Sequence, residues 1–303
     1  MNNKNKLITV IGLVGKSDFM KVENFPKNGE TVLVKEMHIE YGGKGINQGI
    51  AARRMNSNVC FITKMGNDEI YLKTKELLEK EDISYHIFKE ENGISAEACI
   101  MTNNQGDNEV ICFPGKNVDL TKEEVESLKD IIQSSEYLLL QFELSLESLY
   151  TAITLAEEAG VKVILNPAPY REIDKKYLDK CFLLTPNEDE AIKLFGLKEL
   201  TLQSIKMLPY DNVIITMGSK GALVKEKENC YKVNALKIKE VVDTTGAGDT
   251  FNGALASALL DGKSLKDAII SSAIPASGLS VTKKYVLDAI PTKKELEDYL
   301  KNI

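Results

Sequence analysis

The feature that most constrains the fold of this chain is the alternation of short apolar runs with longer helical patterns. Residues 7–14 (LITVIGLV) form one unbroken apolar run, and similar runs at 59–65 and 137–142 are each followed by helical periodicity. Unbroken apolar runs are typical of parallel strands that are buried on both faces. Repeated alternation predicts an α/β fold, with a doubly wound, mostly parallel central sheet and helices on both faces. No linker or repeat breaks the pattern, so we expect a single α/β domain over residues 1–303.

Two stretches interrupt this alternation with strand patterns of their own. Residues 31–40 alternate apolar and polar side chains, and residues 95–102 and 109–113 form a strand pair around a polar turn. Such alternation indicates half-buried strands. We therefore predict a small β-sheet, inserted at about residues 15–42 and 94–113, that stands off the central sheet. Two ordinary surface hairpins are the alternative.

A glycine-rich turn that runs into a helical pattern is the strongest candidate for chemistry. Free backbone amides of Gly246, Ala247 and Gly248 at a helix N-terminus would bind an anion the size of a phosphate, and glycine permits the close approach. Asp249, in the same turn, could take a proton from an attacking hydroxyl. This combination suggests phosphoryl transfer. Helix capping by Asp249 is the plainer alternative.

Charge and composition narrow the choice of function. The net charge of −7 disfavours nucleic-acid binding as a main function, although small anions can still bind locally. The apolar run near the start is too short for a membrane span and lacks the pattern of a signal peptide, so we expect a cytoplasmic protein without a membrane partner. Two histidines and five scattered cysteines offer no spacing for a metal site built from those residues.

Two other phosphate-binding motifs are not supported. Gly15-Lys16-Ser17 follows the first apolar run, but a P-loop would need glycine where Val10 stands and a helix afterwards. The first strand is also not followed by GxGxxG and a helix. This argues against a dinucleotide-dependent oxidoreductase.

Six motifs, in this order along the chain, resemble those of the ribokinase-like (PfkB-type) carbohydrate kinases. They are GGKGINQ at 42–48, QFE at 141–143, NPAP at 166–169, TPNE at 185–188, TMGSKG at 216–221 and DTTGAGDTFNGA at 243–254. The resemblance covers roughly residues 7–291. It implies ATP-dependent phosphorylation of a primary hydroxyl of a small sugar. Asp249 would be the general base, and Gly246, Ala247 and Gly248 would form the anion hole.

The resemblance also implies binding roles for further residues. Those for the sugar are Gly15, Ser17, Gly43, Lys44, Gly45, Asn47 and Glu143, and those for the nucleotide are Asn187, Thr216, Gly218, Ser219, Gly221 and Asn252. Glu190 would support Mg²⁺ through water, and Asp243, Thr245, Ser280 and Lys283 would line a loop for a monovalent cation such as K⁺. The small sheet would cover the sugar as a lid and form a homodimer. A nucleoside or deoxysugar kinase of the same family and, from another class, a non-catalytic binding module are the alternatives.

The chain departs from the family pattern at two places. The family usually has glycine where Tyr285 stands, which predicts weaker activation by potassium. Ribokinases carry G-S-x-N-x-D after the first strand, and its Asn and Asp hold sugar hydroxyls. In this chain those two positions are Gly15 and Ser17, and the neighbouring Asp18 should point the other way along an extended segment. We therefore expect ribose to be a poor substrate compared with a sugar that has fewer or differently placed hydroxyls.

Overall fold

The computed structural model describes residues 6–105 and 107–302. Its strands, in chain order, are β1 (Leu7–Ile11), β2 (Gly15–Lys21), β3 (Glu36–Gly42), β4 (Asn58–Gly66), β5 (Ser84–Glu90), β6 (Ala96–Thr102), β7 (Asn108–Phe113), β8 (Tyr137–Gln141), β9 (Lys162–Asn166), β10 (Leu183–Leu184), β11 (Asn212–Thr216), β12 (Ala222–Glu226) and β13 (Asn229–Val233).

In the described part of the chain, nine strands form the central sheet, in the order β13-β12-β11-β10-β9-β8-β1-β4-β5. All neighbours from β11 to β5 pair in parallel, whereas β12 and β13 add an antiparallel edge. The chain first fills one side of β1 with β4 and β5, and then returns to the other side with β8. Ligands of such sheets bind beyond the carboxyl ends of the strands at this reversal. The predicted fold class is confirmed, with the antiparallel edge as an addition.

Helices cover both faces of this sheet. They are α1 (Lys44–Arg54), α2 (Glu69–Lys80), α3 (Lys122–Ser127), α4 (Lys129–Ser134), α5 (Leu146–Glu158), α6 (Lys175–Leu178), α7 (Glu188–Phe195), α8 (Leu202–Lys206), α9 (Ala247–Leu260), α10 (Leu265–Ala268), α11 (Ile274–Ser280) and α12 (Lys293–Leu300). Short 3₁₀ segments occupy Gly115–Asp119 and Gly218–Lys220, and a π-helical turn spans Ile269–Ala273. None of the described helices is both long enough and apolar enough to cross a bilayer.

The central strands are apolar throughout because each face of the sheet has its own core. Val10 points into the core that contains α1 and α9, whereas its neighbour Ile11 points into the core that contains α5. The helices of the first core approach each other closely. A Cβ on Gly253 of α9 would lie 2.3 Å from the carbonyl oxygen of Gln48 in α1. This contact brings the start of α1 beside the start of α9.

Four strands of the described ranges form the small sheet, in the order β3-β2-β6-β7. Its presence confirms the predicted small sheet. The strand pair expected at 95–102 and 109–113 corresponds to β6 and β7, but the strand expected at 31–40 is shifted. β3 begins only at Glu36, because its partner β2 ends at Lys21, which pairs with Glu36. Residues 31–35 therefore run past the end of β2, apart from the amide of Lys35, which donates to the carbonyl of Lys21 over 2.7 Å, and Leu33 is 86% exposed. Gly106, in the predicted turn, lies outside the described residues.

Candidate active site

The glycine turn before α9 forms as the sequence predicts. Gly246 precedes the helix with φ of 76°, and a Cβ on it would lie 2.5 Å from Cγ1 of Val286. Glycine is needed here for both conformation and space. Of the three amides expected to be free, that of Ala247 instead donates to the carbonyl of Thr244 over 3.3 Å. Within residues 6–105 and 107–302, no acceptor lies in hydrogen-bond range of the Gly246 or Gly248 amide. The turn therefore offers two free donors rather than three.

Asp249 does not cap its own helix. Its Oδ2 accepts from Asn47 Nδ2 and its Oδ1 from Gln48 Nε2, each over 3.1 Å. Both donors lie in α1, so the carboxylate is held across the interface between the two helices. Only 8% of Asp249 is exposed, and burial raises the pKa of its carboxyl, partly offset by the charge of Lys44 and by the two amide donors. The capping alternative is excluded by this geometry.

Gln48 links Asp249 to the ends of two central strands. Its Nε2 also donates to Asn166 Oδ1 over 3.1 Å, and its Oε1 accepts from Gln141 Nε2 over 2.8 Å. Asn166 in turn donates to the carbonyl of Thr185 over 2.9 Å. These buried amides were not predicted as site residues, although each of Gln141 and Asn166 stands out as the polar end of an apolar run. Because buried amides must find partners, they fix the orientation of Gln48 and, through it, of Asp249.

Lys44 and Glu143 share the buried space around Asp249. Burial raises the pKa of Glu143 to about 7, and the charge of Asp249 adds to this, while the charge and the backbone amide of Lys44 oppose it. Burial lowers the pKa of Lys44, but the nearby carboxylates of Asp249, Glu143 and Glu190 outweigh this and leave it above its ordinary value. One oxygen of Glu143, Oε2, is buried with no partner among the described residues. An unpaired buried acceptor of this kind suits a hydroxyl-bearing ligand.

A cavity of about 220 Å³ brings most of the predicted sugar residues together. It is lined by Gly15, Ser17, Gly43, Lys44, Asn47, Glu143, Gly246 and Asp249, along with apolar residues and the charged Lys16, Glu40 and Glu97 of the small sheet. We call it the sugar-side cavity. Gly45 does not line it. A Cβ there would lie 2.7 Å from Cα of Gly12, so Gly45 serves the packing of α1 against the end of β1.

A second cavity, of about 350 Å³, lies on the other side of the glycine turn. It contains the predicted nucleotide residues Thr216, Gly218, Ser219 and Gly221, and it also includes Ala247, Gly248 and a largely apolar wall. We call it the nucleotide-side cavity. Asn252 does not line it: its Oδ1 accepts from Thr185 Oγ1 over 2.6 Å and its Nδ2 donates to the carbonyl of Gly248 over 2.9 Å. Asn252 therefore braces the turn from behind.

The comparisons with known proteins agree with this geometry. Residues 5–293 match the pfkB family carbohydrate kinase model. The chain belongs to this family. It is 34% identical to a ribokinase of Haemophilus influenzae, over 98% of this chain and 99% of that one. It is 32% identical to a deoxyribokinase of Salmonella typhi, over 97% and 98% of the two chains.

Solved structures give the same result. The ribokinase of Arabidopsis thaliana, complexed with ribose and ATP, matches with a TM-score of 0.87 at 28% identity, over 97% of this chain and 98% of that one. The chain is therefore a kinase that phosphorylates a sugar hydroxyl, as the motifs predict. Membership of this kinase family argues against the two alternatives from other classes, an oxidoreductase and a non-catalytic binding module.

In this carbohydrate kinase, Asn187 and Glu190 form a capping box at the start of α7. Asn187 Oδ1 accepts from the amide of Glu190 over 2.9 Å, and Glu190 Oε2 accepts from the amide of Asn187 over 2.8 Å. Asn187 also lines a shallow cavity beside Thr216 and Gly218, with the carboxylates of Glu188 and Asp189. Glu190 lies deeper, and its burial raises the pKa of its carboxyl. Capping is thus confirmed, and a role toward metal remains a prediction.

The predicted cation loop of the kinase brings two segments together. Asp243 Oδ1 accepts from the amide of Thr245 over 2.9 Å, and its Oδ2 accepts from the amide of Tyr285 over 3.0 Å. The carbonyl of Ser280 accepts from the amide of Lys283 over 3.4 Å, while the ammonium of Lys283 lies 3.2 Å from Glu295. Tyr285 has φ of 66°, a conformation that glycine adopts without strain. The turn therefore forms in spite of the tyrosine.

Proposed function

We propose that this kinase transfers a phosphoryl group from ATP to the primary hydroxyl of a small sugar, with Asp249 as the general base. The main support for this proposed function is that the first turn of α9 lies between the two cavities. Asp249 lines the sugar-side cavity, and Gly248 of the same turn lines the nucleotide-side cavity. A phosphoryl group that passes from nucleotide to sugar must cross this turn. Catalysis of such transfer consists mainly of positioning and electrostatic stabilisation.

Different residues around the turn would supply the base, the anion hole and the balancing positive charge. Burial raises the pKa of Asp249, which makes its carboxylate a stronger base for the hydroxyl proton. The free amides of Gly246 and Gly248 supply an anion hole, where a single donor contributes about 3 to 4 kcal/mol to lowering a barrier. Lys44 balances the negative charge of Asp249 and Glu143.

Magnesium is the second cofactor in this proposal, and ATP would carry it. The cavity beside Asn187 offers the amide oxygen and carboxylates that a hard cation prefers, with Glu190 behind them. Mg²⁺ would neutralise phosphate charge, and Asn187 and Glu190 would hold it through water. Potassium is a further candidate, at the loop that contains Asp243 and Thr245.

The substrate proposal is that ribose is bound weakly. Gly15 offers no side chain, and none would fit without movement, since a Cβ there would lie 2.3 Å from the carbonyl oxygen of Ala96. Ser17 lines the sugar-side cavity with a single hydroxyl. Asp18 does not line it and is instead bonded to the ammonium of Lys16 over 2.9 Å. Loss of a charged acceptor should cost about 30-fold to 1000-fold in affinity for ribose.

The wall beside Ser17 supports a less hydroxylated substrate. Phe19, Ala98, Ile100 and Val110 of the small sheet line the same cavity and offer no side-chain hydrogen bonds. A deoxypentose lacks one hydroxyl, which would otherwise lie against these side chains without a hydrogen-bond partner. A nucleoside is the second candidate, because the same apolar wall could receive a base.

A nucleotide-consumption screen over pentoses, deoxypentoses, hexoses and nucleosides tests this proposal. We expect a deoxypentose or a nucleoside to show the highest kcat/KM. The variant Ser17→Asp, which restores a charged acceptor, should raise kcat/KM for ribose more than for the preferred substrate. Ribose as the best substrate of the natural enzyme would refute the proposal.

We also propose a homodimer through the small sheet. The face of this sheet turned away from the sugar-side cavity exposes Met37, Ile39, Ile111 and Phe113, each at 44% or more. Met37 and Ile39 lie on β3, and Ile111 and Phe113 lie on β7, so the four side chains belong to the two edge strands of the sheet. An apolar face of this kind, on a sheet with two free edges, needs covering.

A further inference from the structure

Three consecutive backbone amides near the C-terminus are held by two carboxylates from elsewhere in the chain. Asp243 accepts from the amide of Tyr285. Glu40 accepts from the next two: its Oε2 lies 3.1 Å from the nitrogen of Val286, and its Oε1 lies 3.2 Å from the nitrogen of Leu287. Successive amides that follow a residue in the left-handed conformation form a concave anion site. In this protein the anion is a side chain, that of Glu40.

Glu40 belongs to β3 of the small sheet, is 6% exposed and also lines the sugar-side cavity, with both carboxylate oxygens turned to the amides of Val286 and Leu287. A buried carboxylate is stable only when its oxygens are paired, and the two amides supply that pairing. The same strand makes a second contact with the segment, since the ring of His38 stacks on the ring of Tyr285 with centroids 3.8 Å apart. Phe19 of β2 meets the same Tyr285 ring edge-on, with centroids 5.4 Å apart. The small sheet is thus held to residues 285–287 by the carboxylate of Glu40 and by two aromatic contacts.

The fastened segment supports the catalytic turn directly. Val286 is 5% exposed and lines the sugar-side cavity. Its Cγ1 occupies the position where a side chain on Gly246 would lie, so Val286 packs against the Cα of Gly246. A continuous path of contacts runs from Glu40 through Val286 to the turn that holds the proposed anion hole.

We infer that Glu40 is a positioning residue for phosphoryl transfer, which holds residues 285–287 so that Val286 supports the Gly246 turn. The inference rests on the role proposed above for that turn. Positioning errors of about 1 Å can cost on the order of 100-fold in rate. We therefore expect the contact of Val286 with the Gly246 turn to affect kcat more than the binding of sugar or ATP.

The variant Glu40→Gln tests this inference. Glutamine keeps one acceptor oxygen but presents an NH₂ group to the second amide, so one of the two bonds must break. We expect kcat to fall roughly 10-fold to 100-fold, while KM for the sugar and the dissociation constant for ATP each change by less than about 3-fold. Hydrogen exchange at the amides of Val286 and Leu287 should become faster.

Glu36→Gln is the matched control. Glu36 lies on the same strand and contacts the same segment, through an exposed ion pair with Lys284 at 3.3 Å, but it touches none of the three amides. We expect its kcat and KM to match those of the natural enzyme, because exposed ion pairs contribute little. An equal fall in kcat for both variants would overturn the inference.

Other results would also overturn it. If Glu40→Gln raises KM for the sugar and leaves kcat unchanged, Glu40 is a sugar ligand instead. If both values are unchanged, the contact of Glu40 with the two amides does not contribute to catalysis. If that variant does not fold, Val286→Ala carries the test. It keeps both Glu40 bonds and should still lower kcat, and an unchanged kcat would contradict the inference. Asp249→Asn is assayed in parallel. A rate close to that of the natural enzyme in Asp249→Asn would mean that the proposed function fails, whereas a low rate there with an unchanged kcat in Glu40→Gln would mean that only this inference fails.

Discussion

The side-chain amide of Gln48 donates to Asp249 and to Asn166 at the same distance, 3.1 Å. Gln48 is 1% exposed, so neither bond competes with water. The base proposed for catalysis is therefore oriented by an amide whose own orientation is fixed by the ends of two central strands.

Replacement of this amide should cost both stability and activity. Gln48→Leu keeps the size of the side chain but leaves Gln141 Nε2 and Asn166 Oδ1 without partners and removes one of the two amide donors to Asp249. Each buried group left unpaired costs about 1 to 3 kcal/mol. We expect the free energy of unfolding, from urea denaturation, to fall by roughly 2 to 4 kcal/mol. A loss below about 0.5 kcal/mol would show that water or rearrangement satisfies these groups.

Glu143 should make the free enzyme less stable as pH rises. Its pKa of about 7 in the folded state lies above its ordinary value of 4.5, so the folded state binds more protons than the unfolded state between these two pH values. Stability therefore falls as pH rises from about 4.5 to 7, by roughly 3 kcal/mol at 1.4 kcal/mol per pKa unit.

The variant Glu143→Gln measures this contribution. The variant should lose the part of the pH-dependent fall in stability that Glu143 causes. Its advantage in free energy of unfolding over the natural enzyme should therefore be larger at pH 8 than at pH 4.5, as measured by chemical denaturation at each pH. A slope of the same sign should remain in this variant, because burial also raises the pKa of Asp249. Identical pH profiles for the two proteins would contradict a buried, proton-binding Glu143.

Much of this architecture could be predicted from the sequence, because it depends on local patterns. The apolar run at residues 7–14 indicated a strand buried on both faces, and Val10 and Ile11 indeed point into separate cores. The antiparallel edge of β12 and β13 was not predicted, since these short strands follow a glycine turn that had been interpreted as a nucleotide contact. The strand at 31–40 was placed too early because alternation alone does not reveal whether a partner strand exists.

The site was predicted less completely, because its key contacts join residues distant in sequence. Gln48 stood within a motif, but nothing local indicates that it bonds Asp249, Asn166 and Gln141 together. Gly45 and Asn252 were predicted to contact ligands, and they lie behind the cavities instead. Glu40 gave no signal, because a glutamate on an alternating strand is ordinarily exposed, and only the tertiary fold brings it to residues 285–287.

Potassium should activate this kinase more weakly than is usual in its family. Tyr285 adopts φ of 66°, which costs a residue with a side chain about 1 to 2 kcal/mol, and its ring is held against His38. This ties the predicted cation loop to the small sheet, so the loop is less free to adjust around an ion. Initial rates in potassium and in sodium at equal ionic strength test this, and Tyr285→Gly should increase the response. Strong, saturable activation of the natural enzyme by potassium would contradict it.

The apolar outer face of the small sheet should be covered in solution. We expect sedimentation to show a dimer at micromolar concentrations, and the variant Ile39→Lys, which places a charge on the outer face, to shift it toward monomer. A monomer for the natural protein over this range would contradict the proposed homodimer. Lys129→Ala, at an exposed site on α4 rather than on the small sheet, is a suitable control.

Single-turnover phosphorylation of the preferred substrate by Asp249→Asn tests the central claim most directly. Asparagine keeps the shape of the side chain but cannot accept the hydroxyl proton. We predict a rate lower by roughly 10² to 10⁴, with an unchanged dissociation constant for ATP and an intact fold by circular dichroism. A single-turnover rate close to that of the natural enzyme would contradict Asp249 as the general base.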